Sequence, residues 1–504
     1  MTTTKRVVLF GAGTVAKRAA DLLCGILPSD VEIGLVRHGV KLPKDIAKKR
    51  ENEARTHNQD ISREEIEELT TWKKGDATDS RTKELKQLFS WHKDRFTTYL
   101  AQGKRLEERI IRMEEAGLAV QGIVYPEDKL ADEPFKNIER KKQLKNIMDL
   151  GVSLAIDASE TGIDERNVAD IYTPNNWPFC LNGGAKGTLV DHNYFAGILG
   201  TTADYTVSKY IEKDSMVVSC NTHAVTMFLS LLKHTLSPAD ELEPILERET
   251  NPQIKKELTH ALNENRQRAD NHFRTMVRSI DIKFLRRYED PHVGKPVPEF
   301  IAAEESAKHM KEIEILLPAT EGKLYATSTK IPCQYFHTVY VTVNFEGKVN
   351  ERLVDELKLK MRKHPRIILS ELSDGKGGRK AGIDQEQIIL AAGWAGINDG
   401  DLPHPIMSPR KLGDYAIETI IATPQRGIVA PSIADITLLR LGYEETLRNA
   451  CKRTNRGMYR GIRLADIKGG VQDNLLNYHR KKEIPGYSTD PRDYLGIRID
   501  GKIA

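Results

Sequence analysis

The residue best suited to covalent chemistry stands at position 220, inside the stretch 215–226, which reads SMVVSCNTHAVT. Val217 and Val218 form a short β-branched run that delivers Cys220, and Asn221 and Thr222 open a pattern that can continue as a helix. At such a strand-to-helix junction, backbone N–H groups and the helix dipole favour a thiolate. The same N–H groups can hold a developing oxyanion. That is how a nucleophile for an aldehyde carbonyl is built. A buried core cysteine, among the commonest interior residues, is the competing reading of the same position.

The second chemical pattern opens the chain. An apolar β-rich run at 5–10 leads into Gly11, Ala12, Gly13, Thr14, Val15 and Ala16, a GxGxxA turn, and then a helical stretch through about Leu27. Gly11 permits the tight turn, Gly13 lets backbone approach a pyrophosphate, and small Ala16 lets helix and strand pack closely. A strand at 32–36 follows at the spacing of a βαβ unit. The expectation is a dinucleotide site that includes Gly11, Gly13, Thr14 and Val15. At the end of that second strand stand Arg37 and His38, where an NAD site places an acidic residue on the ribose. A cation there suits a 2′-phosphate, so NADP is favoured over NAD; a solvated surface arginine is the alternative. The α/β alternation resumes at 119–124, 153–157 and 179–182, with Gly- and Ser-rich strand ends at 157–162 and 183–186. Gly184 lies on the last of these, where an open parallel sheet binds its ligand.

The elements that must hold these residues belong to a large α/β chain. At 504 residues it is long enough for two or more domains. Its net charge of +4 gives no global electrostatic case for nucleic acid or membrane, and no apolar run is long enough to span a bilayer. Five scattered cysteines without CxxC spacing favour neither a disulfide framework nor a zinc site, and with a start that enters a strand directly they suit a reducing cytoplasm.

From about 48 to 115 the composition turns to dense mixed charge. Ser62 and Glu65 match a capping box, and Leu85, Leu88, Phe89, Phe96 and Leu100 recur at helical spacings, predicting a helical insertion at about 51–100. A helix is expected from Cys220 to about Leu232, then a polar helical stretch at 238–270. Strands are expected at 274–282, 323–331, 336–345 and 366–369, with a helix at 350–361 and a flexible loop at 373–380. Past Arg453 the tail is basic and Gly-rich.

Taken together, these residues resemble the type II, archaeal-type glyceraldehyde-3-phosphate dehydrogenases. The shared pieces occur in order: GAGTVAKRAADLL near the start, LNGGAK at 181–186, SCNT at 219–222, VR at 277–278, KHMKEI at 308–313, HPRIILS at 364–370 and GIVAPSIADI at 427–436. The resemblance implies a Rossmann nucleotide-binding domain (1–217) and an α+β catalytic domain with a mainly antiparallel sheet (218–424, with an insertion at about 237–271). It implies further a C-terminal helix (425–465) returning to the nucleotide domain, ahead of an extension (466–504). In that reading Cys220 attacks the aldehyde, the thiohemiacetal yields hydride to NADP or NAD, and inorganic phosphate releases the acyl-thioester as an acyl phosphate. Asn221 follows the nucleophile with its backbone near the oxyanion, and His309 manages the proton. His223, three residues after Cys220 and so on its helical face, is the rival histidine and a departure from the family. Ser219, Thr222 and Arg278 are carried over as substrate-phosphate contacts. Where the family has an arginine pair this chain has Arg278 and Ser279, with Arg286 and Arg287 downstream and Lys186 a further contributor.

The resemblance also implies a small-molecule phosphorylated aldehyde and inorganic phosphate as partners, no metal, and a homotetramer. Two other readings stay open: a semialdehyde dehydrogenase working on an acyl phosphate, and a cofactor-binding scaffold without catalysis.

Overall fold

The computed structural model describes residues 5–11, 14–28, 31–36, 96–99, 152–159, 163–182, 187–191, 193–198, 213–237, 242–287, 299–301, 303–331, 336–373, 379–383, 403–424 and 427–458. These fall into two compact units, one comprising Met1–Asn193, Lys213–Met216 and Glu289–Lys295, the other Tyr194–Glu212, Val217–Tyr288 and Pro296–Ala504.

The first unit is built on parallel strands: β1 (Arg6–Phe10), β2 (Glu32–Val36), β3 (Phe96–Tyr99), β4 (Leu154–Asp157) and β5 (Phe179–Asn182), in the order β3-β2-β1-β4-β5. Ser215 and Met216, which open β6 (Ser215–Val217), take the next place beside β5. Helix α1 (Thr14–Ile26) crosses from β1 to β2. Val7, Val8, Leu9 and Phe10 are all buried, as a strand covered on both faces requires. This is a Rossmann-like sheet, as the alternation of strand and helix predicts. One expectation fails here. Phe96, assigned by its spacing to a helical stripe, lies in β3, paired in parallel with Ile33. The run FTTY is β-branched and aromatic, and that local preference overrides the spacing. The rest of the 51–100 insertion lies outside the described residues.

The second unit packs helices against a seven-stranded mixed sheet. After α2 (Cys220–Leu236) come a short helix (Glu243–Arg248) and α3 (Pro252–Met276). The sheet is formed by β7 (Val277–Arg287), β8 (Glu299–Ile301), β9 (Leu324–Ile331), β10 (Phe336–Phe345), β11 (Ile368–Leu369), β12 (Ile406–Leu412) and β13 (Ala416–Pro424), in the order β11-β12-β13-β10-β7-β9-β8. Four of its six pairings are antiparallel, and β9 with β7 and β11 with β12 are parallel. Along β10 the alternation is complete, with His337, Val339, Val341, Val343 and Phe345 inward. Each fully buried aliphatic or aromatic side chain there is worth roughly 1.5–3 kcal/mol of transfer free energy.

Helices α4 (Ala303–Leu316) and α5 (Glu351–Lys363) pack on α2, as α3 does. Helix α2 is buried nearly all round, its polar residues Asn221, Thr222, His223, Thr226 and Ser230 included, so it forms the centre of this unit.

Several boundaries differ from expectation. The 274–282 strand begins only at Val277, because α3 carries its polar periodicity through Met276 after an Asn251 cap and Pro252 start. Arg366 precedes β11 and is not part of it. The 373–380 loop is flanked by a short hairpin, Glu371–Ser373 with Arg379–Ala381. The single returning helix at 425–465 is two helices, α6 (Ala430–Arg440) and α7 (Leu447–Met458), both in the second unit.

Candidate active site

Cys220 is the first residue of α2, and Ser219 is its cap. The Ser219 hydroxyl accepts the Thr222 backbone N–H at 3.4 Å, a long but correctly placed N-cap bond. Cys220 itself is half-buried and in no disulfide. A helix start leaves its first N–H groups without intrahelical partners, so the first turn of α2 is suited to holding an anion. Asn221 is buried, and its side-chain oxygen has no hydrogen-bond partner among the described residues. A buried polar atom of that kind is capacity left for a ligand or a water.

His309 arrives from α4, on the KHMKEI segment. Its Nδ1 lies 3.2 Å from the Ser219 hydroxyl and 3.0 Å from the Thr222 hydroxyl. The imidazole therefore meets the side chains on either side of Cys220 in sequence. Phe284 of β7 packs on the ring with centroids 5.1 Å apart. Burial, and then the positive charges of Arg286 and Lys308, hold the His309 pKa down to about 3. The ring is thus neutral at physiological pH, the form that can accept a proton. Among the described residues its hydrogen bonds all run through Nδ1, which leaves Nε2 for chemistry.

One residue of this site went unremarked in the sequence. Glu312, one helical turn beyond His309, is fully buried and accepts the Thr222 hydroxyl proton at 2.6 Å. Burial raises its pKa to about 6, partly offset by the Thr222 hydrogen bond and the charge of Lys308. Burial and the nearby Glu312 carboxylate push the Tyr194 phenol up to about 12. The available signal was the i, i+3 spacing of His309 and Glu312 on one helix face.

Other expectations are placed differently. Thr222, expected at a substrate phosphate, is sealed from solvent and its hydroxyl is committed to Glu312 and His309. Arg278, expected likewise, is exposed at the start of β7, and six residues of strand separate it from Phe284 by about 20 Å. Ser279 is held across the sheet by the Asn344 amide at 2.9 Å. The arginine whose charge reaches His309 is Arg286. His223, the rival histidine, is placed in the interior of the second unit. It is 1% exposed, and burial followed by the charge of Arg366 lowers its pKa to about 3.

The dinucleotide turn is described in part. Gly11 has φ +98°, and a Cβ there would meet the Ala158 carbonyl oxygen at 2.7 Å. Ala158 in turn donates its N–H to the Phe10 carbonyl at 2.8 Å. The ends of β1 and β4 therefore leave a side-chain-free cradle at the edge where a parallel sheet receives a pyrophosphate. Thr14 opens α1 and Val15 is half-buried just after it. Gly13, Arg37, Gly184 and Lys186 lie outside the described residues. At the β4 end, buried Asp157 accepts hydrogen bonds from Asn167, Tyr172 and the Ser159 N–H. The residues present fit a dinucleotide. Gly11→Ala is expected to cost about 1–3 kcal/mol of stability and to weaken dinucleotide binding; a melt and a fluorescence titration with NAD and NADP check both. Unchanged melting and affinity would remove the case for this turn.

Among the described residues no cluster of His, Cys, Asp and Glu could hold a metal, and no helix is long and apolar enough to cross a membrane.

The chain is similar to a glyceraldehyde-3-phosphate dehydrogenase. That relative, from Methanocaldococcus jannaschii, is 21% identical over 358 residues, covering 70% of this chain and 82% of the relative. No protein-family model matches the chain. A distant likeness to a glyceraldehyde-3-phosphate dehydrogenase, together with the Rossmann-like sheet, supports an oxidoreductase of the dehydrogenase type that uses a nicotinamide dinucleotide.

Two segments that carried the resemblance meet in the interior of the second unit. Arg366, from HPRIILS, forms a two-pronged ion pair with Asp435, from GIVAPSIADI, at 2.6 and 2.9 Å. It also donates to the Asn455 side chain at 2.8 Å and to the Gly197 carbonyl at 2.7 Å. Gly197 has to be glycine, since a Cβ would stand 2.0 Å from the Asp435 carboxylate.

Proposed function

We propose that this chain oxidises glyceraldehyde 3-phosphate to an acyl phosphate with NADP or NAD as acceptor and inorganic phosphate as co-substrate. The observation that carries this reading is His309 Nδ1, hydrogen-bonded to the hydroxyls on both sides of Cys220 at the start of α2. In the proposed sequence Nε2 takes the thiol proton as the sulfur of Cys220 bonds to the aldehyde carbon. The carbonyl electron pair moves to oxygen, facing the N–H groups of the first turn of α2. His309 returns the proton to that oxygen, giving a thiohemiacetal, and removes it again as the carbon is oxidised. The dinucleotide, when bound at the Gly11 turn, supplies the hydride acceptor. Phosphate oxygen then attacks the thioester carbon and the Cys220 thiolate leaves.

For the substrate phosphate the reading turns to Arg286, because its charge is felt at His309 and Arg278 stands far along the strand. Arg37, one residue beyond β2, is proposed at a 2′-phosphate, which favours NADP. A cytoplasmic homotetramer completes the reading, on the resemblance.

The test is nicotinamide absorbance with purified chain, aldehyde, phosphate and each dinucleotide separately. Phosphate-dependent reduction is expected. Arg286→Ala should then raise KM for the phosphorylated aldehyde by about ten- to a hundredfold, the worth of a charge-assisted contact, and leave KM for an unphosphorylated aldehyde unchanged. Folded protein silent with both dinucleotides would overturn the proposal.

A further inference from the structure

We infer that Glu312 is a positioning residue that sets the proton arrangement of His309 through the hydroxyl of Thr222. This rests on the reading of His309 as the base for Cys220, and it adds a buried carboxylate and a hydroxyl relay to that site.

The proton positions follow from the donors and acceptors. Thr222 gives its hydroxyl proton to Glu312 Oε2 at 2.6 Å. A hydroxyl has one proton, so toward His309 Nδ1, 3.0 Å away, Thr222 Oγ1 is an acceptor. His309 therefore carries its proton on Nδ1, and Nε2 keeps its lone pair. Ser219 fits the same assignment. It accepts the Thr222 backbone N–H and, 3.0 Å from Thr222 Oγ1, gives its own proton there. Without the carboxylate the Thr222 proton can turn to His309 Nδ1, 3.0 Å away and as near as the Ser219 hydroxyl. The imidazole then holds its proton on Nε2, the nitrogen to which the proposed reaction assigns the thiol proton.

Glu312 also acts when His309 is charged. Its Oε2 lies 4.0 Å from Nδ1, so a transient imidazolium formed in a buried place has an anion beside it. Among the described residues Glu312 Oε1 is buried without a hydrogen bond, with Lys308 Nζ 3.8 Å away as a charged neighbour. A buried carboxylate in this setting is costly to keep, and the residue that donates a hydrogen bond to it, Thr222, also touches the base.

The relay carries a pH dependence. Among the described residues, the titratable and charged groups that act on Glu312 are Lys308 and His309 on its own helix and Tyr194 from the strand Tyr194–Phe195, while Arg286 on β7 acts on His309. His309 titrates near 3 and Tyr194 near 12, whereas Glu312 titrates near 6. As pH falls through about 6, Glu312 gains a proton, becomes the donor to Thr222, and Thr222 turns its own proton to Nδ1. Turnover should fall with that limb.

The experiment uses the full chain with ¹⁵N-labelled histidine, the His309 signal being identified by its loss in His309→Asn. In the parent chain His309 is expected as the Nδ1–H form. In Glu312→Met and in Thr222→Val it should shift to the Nε2–H form. The same variants should lose about ten- to a hundredfold in kcat, the range of general acid–base contributions, with KM within about twofold. Thr222→Ser, which keeps the hydroxyl, should restore both readouts, and the double variant should be no slower than the worse single one. An unchanged His309 form in folded Glu312→Met and Thr222→Val overturns the inference, whatever happens to activity. A shifted form in a chain that oxidises no aldehyde upholds the relay and removes the proposed reaction.

Discussion

Cys220→Ser is expected to lower kcat by roughly four orders of magnitude or more, the scale seen when a covalent nucleophile is removed. Nicotinamide dinucleotide affinity should stay within about twofold, because the Gly11 turn lies in the other unit. Serine keeps the start of α2 intact: Ser219 remains the cap and the first-turn N–H groups are untouched. What it loses is the reactive anion. A thiol ionises within reach of neutral pH and a hydroxyl does not, and His309, held neutral by burial, would have to generate an alkoxide. The second loss comes later. An ester at position 220 gives up to phosphate less readily than a thioester, so any residual oxidation should stall as acyl-enzyme. Steady-state rates and intact-mass measurement after incubation with aldehyde and dinucleotide check the two parts. Surviving turnover above a few per cent of the parent rate would mean that another residue is the nucleophile.

The sequence made the frame of this site legible because frame and local pattern obey the same rules. Alternation in 336–345 and the glycine at position 11 dictate β10 and the first parallel crossover without reference to the rest of the chain. Cys220 could be placed at a helix start from the β-branched Val217 and Val218 before it and the helical pattern that Asn221 and Thr222 open. The partners of that cysteine were not legible by the same means. His309 is 89 residues downstream on a helix whose pattern does not distinguish the face toward α2 from any other.

Glu312 was missed for a related reason. A carboxylate on a charged helix reads as solvated, and only the packing of α4 on α2 buries it. Arg278 misled because a paired motif was transferred by position. The strand spends those eight residues travelling, and the arginine at its far end is the one near the imidazole. His223 shows what spacing alone leaves open. Helical spacing puts it within a turn of Cys220, yet its burial and its electrostatic partner place it with Arg366.

That last assignment yields the largest expected effect on stability. Arg366→Met should destabilise the chain by about 3–5 kcal/mol, because it leaves Asp435 buried and unpaired. The Asn455 oxygen and the Gly197 carbonyl lose a donor in the same step. Replacing both charges, Arg366→Met with Asp435→Leu, should recover much of the loss, since no lone charge remains. Urea unfolding followed by tryptophan fluorescence and by far-ultraviolet dichroism measures both variants.

The histidines beside this pair add a dependence on pH with a definite sign. Burial, and then the charge of Arg366, lower the pKa of His223 and of His404 to about 3, against about 6.5 in an unfolded chain. Between those values the unfolded state binds more protons, so stability is full above about pH 6.5 and is lost as pH falls toward 3. Removing the Arg366 charge takes away the second cause of both depressions but not the first. The double variant should therefore lose stability less steeply between pH 6.5 and 4 than the parent chain. Equal slopes would mean that burial alone keeps these imidazoles neutral. A single Arg366→Met chain as stable as the parent would show that water reaches Asp435 and that the ion pair is not what ties α6 to the segment before β11.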